Sequence, residues 1–316
     1  MLRRVIHRLL TLRHQRGPFR SSLMPGHRYV ACVEIGGIPI SLSTTEGIFF
    51  DLLRLRYEDF LSERPAEFGL EFEIIEPRPA SDDDVRVRRD GEEWILERGD
   101  FLARWDPGTG QGVVRQNANP YSLDSVLRIL HSLILARRGG FLLHAASAIC
   151  EGRAFLFSGV SGAGKTTMTR IATPDVTLLT DEISYVRPDG FGPAKIRPES
   201  AHKNPVYRAF GTPFAGELAK AGENTSAPIA ALFFLEKGPK NLIENLSPAE
   251  AVRRLMRNIL FFAEDPTLVE ELLATACAFV ATLPIRRLTF YPDCQVWDEV
   301  RRFGRDPQST CLRAAG

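Results

Sequence analysis

The sequence has few cysteines, and their spacing does not fit a metal or redox site. Five cysteines are spread over 316 residues, at positions 32, 150, 277, 294 and 311. Their number is odd, and no pair shows the two-residue separation of zinc and dithiol motifs. The pattern favours a reduced, cytoplasmic setting over a disulfide framework.

Long hydrophobic runs and a strong net charge are also missing. No segment approaches about 18 consecutive apolar residues, so we expect no membrane span. The 40 basic and 39 acidic residues give a formal charge of +1. Seven arginines and no acid fall in residues 1–33, so the rest of the chain, with 33 basic and 39 acidic residues, carries −6. A mildly acidic body does not indicate a nucleic-acid-binding protein.

The length and composition are ordinary for a globular protein of one large or two modest domains. We interpret the basic residues 1–27 as a flexible extension, with a membrane-surface helix or a targeting segment as alternatives. Residues 28–120 are expected to form a small β-rich domain, because short apolar runs alternate there with turn signals. Residues 121–303 are expected to form a second, α/β domain, and residues 304–316 a flexible tail.

Local signals support these boundaries. Gly36-Gly37 is predicted to turn a β-hairpin at the start of the first domain. Asn119-Pro120 ends that domain, and Ser122 with Asp124 is predicted to cap a helix over residues 123–135. Further on, residues 202–227 are rich in Pro, Gly and Lys, which predicts a long loop that could act as a lid.

The most informative segment, residues 154–169, reads AFLFSGVSGAGKTTMT. Gly159, Gly164, Lys165 and Thr166 fit the phosphate-loop pattern G-x-x-x-x-G-K-[ST], between an apolar run and a stretch that could open a helix. Backbone N–H groups of such a bend bind phosphate, while the lysine reaches the terminal phosphates and the threonine ligates Mg²⁺. The segment therefore predicts binding of ATP and Mg²⁺. The residues expected to hold the nucleotide are Gly159, Ser161, Gly162, Ala163, Gly164, Lys165, Thr166 and Thr167.

An acidic pair follows the motif at a short distance. Asp181-Glu182 ends an apolar run sixteen positions after Lys165, which leaves room for one short helix. Carboxylates at the end of a neighbouring strand are well placed to hold Mg²⁺ or to accept a proton beside the γ-phosphate. His144 follows the apolar run 141–143, but a lone histidine in that setting is usually a core residue.

Taken together, these anchors resemble the catalytic domain of HPr kinase/phosphorylase, whose fold is shared with phosphoenolpyruvate carboxykinase. The resemblance covers roughly residues 125–300 and rests on His144, the loop 159–166 and the pair Asp181-Glu182. It implies a phosphate-loop-containing domain of that fold after the small β-rich domain. It also implies that Asp181 is the general base, that Glu182 ligates the metal with Thr166, and that His144 lies beside the transferred phosphate.

The segment after the acids departs from the family. Where HPr kinases carry Glu-Ile-Arg-Gly, this chain has Ile196-Arg197 followed by Pro198, so HPr is not the expected substrate. The overall layout is similar to HPr-kinase-like kinases of lasso-peptide precursors. Arg197, His202 and Lys203 are candidate contacts for substrate or phosphate, and residues 28–120 are expected to bind part of a peptide as an added strand.

The sequence therefore predicts a cytoplasmic kinase that transfers a phosphoryl group from Mg-ATP to a hydroxyl, preferably a Ser of a peptide or protein. Lys165, Asp181 and His144 are the expected catalytic residues. Two alternatives remain open: a small-molecule kinase of the same fold, and a non-catalytic module that binds peptides in a nucleotide-dependent way. Neither a nucleic acid nor a membrane is an expected partner, and self-association into a homo-oligomer is left open.

Overall fold

The computed structural model describes residues 27–76, 84–190, 205–214, 216, 218 and 221–306, which form a mixed α/β structure with two β-sheets. The first sheet and its helix come from the N-terminal part of the chain. Their elements are β1 (Tyr29–Ile35), β2 (Ile38–Thr44), α1 (Gly47–Arg56), β3 (Phe68–Ile74), β4 (Arg86–Asp90), β5 (Glu93–Arg98), β6 (Phe101–Asp106) and β7 (Gln111–Gln116).

The first sheet has the order β1-β2-β3-β7-β6-β5-β4. The β1–β2 hairpin forms as predicted, with Ile35 opposite Ile38. Strands β6 and β7, to which the sequence analysis assigned no structure, complete the sheet. In β6, Phe101, Ala103 and Trp105 are buried and the residues between them are more exposed, which is the period-two pattern of a sheet with one face on a core.

The helix α2 (Pro120–Arg137) follows the first sheet, and most of its side chains are buried. Its N-cap is Asn119, whose side chain accepts a hydrogen bond from the Tyr121 backbone N–H. The predicted cap at Ser122 and Asp124 is therefore wrong. Ser122 donates to Asp100 instead, and Asp124 is buried, because both side chains pair with the first sheet and its helix rather than with their own backbone.

The second sheet is built from the rest of the chain and runs β10-β8-β11-β12-β13-β16-β14, with β9 paired to both β8 and β13 and β15 paired to β8. The strands and helices of this part of the chain are β8 (Phe141–Cys150), β9 (Arg153–Ser158), α3 (Lys165–Arg170), β10 (Thr177–Thr180), β11 (Ile183–Pro188), β12 (Tyr207–Phe210), β13 (Ser226–Lys237), β14 (Leu242–Asn245), α4 (Pro248–Asn258), β15 (Ile259–Leu260), α5 (Pro266–Thr282), β16 (Ile285–Phe290) and α6 (Val296–Arg305).

The pairing of β8, β9 and β13 positions the site. Strand β9 lies antiparallel to β8, with Ala145 opposite Ser158, and parallel to β13, with Phe234 opposite Ser158. The parallel pair β9 and β13 ends at one edge of the sheet, and the motif 159–166 begins there. On the other side, β10 and β11 pair in turn with β8, so the bend at Asp181-Glu182 faces the same edge.

Three sequence-based expectations need correction. The apolar run 141–143 predicts a strand that closes at His144, whereas β8 continues to Cys150 by pairing with β9 and β10. The predicted loop 202–227 contains strand β12, whose Tyr207 and Ala209 are buried between β11 and β13. Asp189-Gly190 predicts a hairpin between residues 183–186 and 194–197, whereas β11 pairs with β8 and β12; residues 194–197 lie outside the described residues.

The two sheets share one hydrophobic core. A cluster of buried residues from the first sheet and α2 continues into Ile183, Tyr185 and Phe214 of the second part of the chain. Polar contacts cross the same junction, since the Arg187 guanidinium donates to the Gly36 carbonyl at 2.6 Å. Among the described residues, no helix is both long and apolar enough to cross a bilayer.

Candidate functional site

The segment 159–164 adopts backbone conformations that require glycine. Gly159, Gly162 and Gly164 have φ values of +149°, +78° and +112°. A Cβ on Gly164 would also lie 2.5 Å from Cζ of Phe290. The glycines therefore permit the bend that joins β9 directly to α3, as the motif predicts.

Lys165 begins α3 and points back into the bend. Its side chain is largely buried, with 8% of the residue exposed, and Nζ donates to the carbonyls of Gly159 at 3.0 Å and Val160 at 3.3 Å. A buried ammonium held by neutral carbonyl oxygens is ready to pair with an anion that enters the bend.

Asp181 lies in the bend between β10 and β11 and is almost fully buried. One carboxylate oxygen accepts the Gly216 backbone N–H at 2.8 Å, and the other accepts the Leu218 N–H at 2.9 Å. A Cβ on Gly216 would come within 2.8 Å of the Glu182 Cβ, so glycine permits this close approach. Asp181 thus holds the backbone at Gly216 and Leu218 against the acidic pair.

Glu182 is more open than its neighbour and faces a cation. Its side chain is 37% exposed, and Oε2 lies 3.6 Å from Nη2 of Arg128 on α2. Burial raises the pKa of the Glu182 carboxyl, whereas the charge of Arg128 opposes that shift. The sequence analysis did not identify Arg128, because a single arginine in a largely apolar helix does not by itself indicate a functional residue.

His144 lies on β8 beside the start of the bend, and its carbonyl accepts a hydrogen bond from the Ser158 hydroxyl at 2.8 Å. Burial, assisted by the positive charge of Lys165, lowers the pKa of its imidazole below the ordinary value of 6.5. The neutral imidazole is therefore the dominant form near pH 7, and it can accept or donate one hydrogen bond at each ring nitrogen.

These side chains line one cavity of about 240 Å³. The volume is below the roughly 300–1,000 Å³ typical of sites for whole drug-sized ligands, so it suits the phosphate end of a nucleotide better than the nucleoside. Two further cations line it that the sequence analysis missed, Arg170 at the end of α3 and Lys237 at the end of β13. The complete lining is His144, Ser161, Gly162, Gly164, Lys165, Thr166, Thr167, Arg170, Asp181, Glu182, Gly216 and Lys237.

Thr166 and Glu182 line the same cavity, and hydroxyl and carboxylate oxygens are ligands that suit a hard cation such as Mg²⁺. Within the described residues, no group of three or more His, Cys, Asp or Glu side chains is arranged to hold a metal. A site with one or two protein ligands is the arrangement in which Mg²⁺ takes its remaining ligands from substrate phosphates and water. Thr166 and Glu182 therefore fit a Mg²⁺ site that takes its other ligands from elsewhere.

Three predicted contact residues, Arg197, His202 and Lys203, lie outside the described residues. His144, Lys165 and the adjacent pair Asp181-Glu182 come from three separate parts of the second sheet and its connections, and all line the one cavity. Ala163 is buried beneath the bend, where its backbone N–H bonds to the Val160 carbonyl at 3.1 Å.

A larger cavity of about 590 Å³ lies on the open face of the first sheet. Its charges largely neutralise one another: Arg28 pairs with Glu71 at 2.9 Å, and Arg104 pairs with Glu93 at 2.7 Å. It contains neither the glycine-rich bend nor the acidic pair, so its size does not make it the reactive site.

Comparison with known proteins identifies one family. No curated protein matches the chain. A family model described as SynChlorMet cassette protein ScmC matches residues 116–303, which is more than half of the chain. The matched residues include every residue that lines the cavity with Lys165 and the acidic pair. The chain therefore belongs to the family of the SynChlorMet cassette protein ScmC.

Proposed function

We propose that this chain is a kinase that transfers the γ-phosphoryl group of ATP to a hydroxyl, namely a Ser of a peptide or protein, in a domain of the HPr-kinase/phosphoenolpyruvate-carboxykinase type. One observation carries the proposal: the bend with Lys165 and the acids Asp181 and Glu182 line a single cavity with His144. A cation for phosphate, a carboxylate base and a metal-binding oxygen are the parts that phosphoryl transfer needs.

The charges of the cavity suit a polyphosphate. Lys165, Arg170 and Lys237 supply three cations, against two carboxylates. The transferred group and the leaving ADP gain negative charge on their oxygens, and fixed cations stabilise that charge without rearrangement. Strand pairing fixes the place of Lys237, because β13 runs parallel to the strand that leads into the bend.

Asp181 and His144 have separate roles in the proposed reaction. The Asp181 carboxylate takes the proton of the substrate hydroxyl while that oxygen forms a bond to the γ-phosphorus and the bond to ADP breaks. His144, neutral near pH 7, hydrogen-bonds the transferred phosphoryl group. Because Asp181 is almost fully buried, the base acts with little competition from water.

Thr166 and Glu182 would hold Mg²⁺. When bound, the ion would neutralise part of the negative charge of the phosphates. Glu182 is one methylene longer than the second Asp usual in HPr kinases, and the 37% exposure of its side chain leaves room for that length.

The edge of the first sheet is the proposed peptide site. In the described part of the chain, β1 pairs with β2 on one side and has a single bridge, Val33 to Leu61, on the other. The Cys32 carbonyl faces away from β2, since it accepts the Ser62 N–H, and Val30 shares that direction by the alternation of a strand. The backbone of Val30, a residue that is 56% exposed, can therefore pair with an added strand.

This edge is connected to the acidic pair. The Asn224 side chain donates to the Asp59 carbonyl at 2.9 Å, close in sequence to Leu61. Asn224 follows the same segment whose Gly216 and Leu218 bind Asp181. These hydrogen bonds link the chain beside the β1 edge to the part of the sequence that carries the partners of Asp181.

One observation favours the non-catalytic alternative, a nucleotide-dependent peptide-binding module. Both oxygens of Asp181 already accept backbone hydrogen bonds, and the residue is 3% exposed. Catalysis requires that a substrate hydroxyl reach one of the remaining lone pairs or displace Gly216, whereas binding requires neither.

The experiment that separates these functions is an assay with γ-labelled ATP and peptides encoded beside the gene. Asp181→Asn should abolish transfer and any slow ATP hydrolysis, while Mg-ATP still binds. Asp189→Asn removes a carboxylate at the turn after β11, outside the cavity, and should behave like the wild type. A wild-type chain that binds Mg-ATP and peptide but never transfers phosphate would refute the kinase in favour of the binding module.

A further inference from the structure

One cation reaches the acidic pair from outside the wall of the cavity. Arg128 lies in the middle of α2, a helix whose side chains are mostly buried in the core shared by the two sheets. Its own side chain is 24% exposed and extends toward Glu182. Because the helix is packed in the core, the backbone position of Arg128 is fixed relative to Glu182.

Packing and one ion pair hold the guanidinium in place. Its Cζ lies 5.0 Å from the ring centroid of Phe214, which is fully buried, and Nη2 lies 3.6 Å from Oε2 of Glu182. Nε is buried and has no hydrogen-bond partner within the described residues. Because a planar guanidinium stacks on an aromatic ring and still offers donors at its edge, Phe214 directs Arg128 at the carboxylate.

A competing carboxylate lies one helical turn away but is engaged elsewhere. Asp124 is four residues before Arg128 on α2, a spacing at which the two side chains would ordinarily pair. Asp124 instead accepts hydrogen bonds from Arg56 at 2.5 Å and from the Tyr57 hydroxyl at 2.6 Å. Because Arg56 and Tyr57 at the end of α1 already bind Asp124, Arg128 pairs with Glu182 instead.

We infer that Arg128 is a positioning residue that holds the Glu182 carboxylate in place as a ligand for Mg²⁺. The inference rests on the proposed function, and it adds a residue that touches neither nucleotide nor metal. Groups that orient a metal ligand from behind affect metal affinity by about 10- to 100-fold when they are removed.

The test measures binding of Mn²⁺, a spectroscopically visible substitute for Mg²⁺, to the full chain by electron paramagnetic resonance with saturating ATP. Arg128→Met keeps much of the length but removes the charge, and should weaken Mn²⁺ binding by about tenfold or more. Arg128→Lys restores a cation and should recover part of the loss. Arg137→Met, on the same helix but beside a separate cavity with Asp265, should match the wild type.

ATP affinity without metal provides the second readout. It should stay within about twofold of the wild type in Arg128→Met, because a positioning residue for Glu182 does not contact the nucleotide. A folded Arg128→Met chain with unchanged Mn²⁺ affinity would overturn the inference. An equal loss of metal-free ATP affinity would overturn it as well, since that result indicates general damage to the site.

A double-mutant cycle covers the case in which the methionine variant does not fold. Arg128→Lys should weaken Mn²⁺ binding in the native background and have no further effect beside Glu182→Gln, whereas additive effects would contradict the inference. A wild-type chain that binds no nucleotide would refute the proposed function and this inference together. Intact nucleotide binding with a Mn²⁺ affinity indifferent to Arg128 would refute the inference alone.

Discussion

Replacing Lys165 with Ala tests the nucleotide site most directly. The ammonium is already buried, and among its contacts it donates to the carbonyls of Gly159 and Val160. Binding of ATP exchanges these neutral partners for phosphate oxygens. An ion pair at about 4 Å with an effective dielectric constant of about 20 contributes about 4 kcal/mol.

The net effect is smaller than the ion pair alone, because the free protein loses its own contacts when the nucleotide enters. Each hydrogen bond from a charged donor to a neutral acceptor contributes about 1.5 kcal/mol, so the bonds to Gly159 and Val160 together offset about 3 kcal/mol. About 1 kcal/mol of binding free energy then depends on Lys165, which corresponds to a loss of affinity of roughly fivefold in Lys165→Ala. The free energy of unfolding should change by no more than about 1 kcal/mol, since water can replace the donor at the two carbonyls.

Calorimetric titration of the folded variant with Mg-ATP measures this loss. Lys240→Ala removes an exposed lysine from the connection between β13 and β14 and serves as the matched control. Undiminished Mg-ATP binding by a folded Lys165→Ala chain would show that the bend does not hold the phosphates, and the assignment of the motif would fail.

Three further predictions follow from other parts of the structure. Lys237→Ala should raise the Kd for Mg-ATP by about tenfold, because one partly exposed charge contact is lost. The control variant Lys240→Ala should leave this Kd unchanged, and equal Kd values for the two variants would contradict the role of Lys237. Val30→Pro should abolish peptide phosphorylation but spare ATP hydrolysis, and Val30→Thr should preserve both; full peptide turnover by the proline variant would exclude the β1 edge as the docking site. Burial lowers the pKa of His131 to about 3, so stability should be complete above about pH 6.5 and fall as pH decreases toward 3. Urea unfolding should show about 2 kcal/mol lost between pH 7 and pH 5, a loss that His131→Gln should largely remove while keeping an acceptor for Tyr185.

The sequence could predict the centre of the site because that information is local. A glycine-rich bend needs several residues with positive φ within a short stretch, and the motif 159–166 supplies them at Gly159, Gly162 and Gly164. The acids follow after one short helix, so their strand is the next one along the chain. His144 needed the family resemblance, since one histidine after an apolar run carries no signal of its own.

The remaining cavity residues depend on tertiary structure. Arg128 is brought to Glu182 by the packing of α2, and no spacing in the sequence relates the two. Lys237 had a recoverable signal: it ends a very apolar strand, and a strand parallel to β9 must finish at the same edge as the bend.

Local rules failed where side chains found distant partners. Asp124 resembled a helix cap, but Arg56 and Tyr57 bind it in the core, and Asn119 caps α2 instead. Strand β12 was missed because Pro and Gly surround it, although its short alternating pattern, with Tyr207 buried, favours a strand. Strand β6 had a clear alternation and could have been predicted from the sequence.

The core shared by the two sheets has a thermodynamic consequence. Since Phe214 and Tyr185 pack in the same cluster as the first sheet, separation of the sheets would expose apolar surface on both. We therefore expect the chain to unfold in one cooperative transition, and a fragment beginning near Asn119 to lack part of its core. A peptide that binds the folded first sheet at 100 times its Kd would add about 2.7 kcal/mol to the stability of the whole chain. The melting temperature of the second sheet, which holds the candidate nucleotide cavity, would thus rise when a ligand binds to the first sheet.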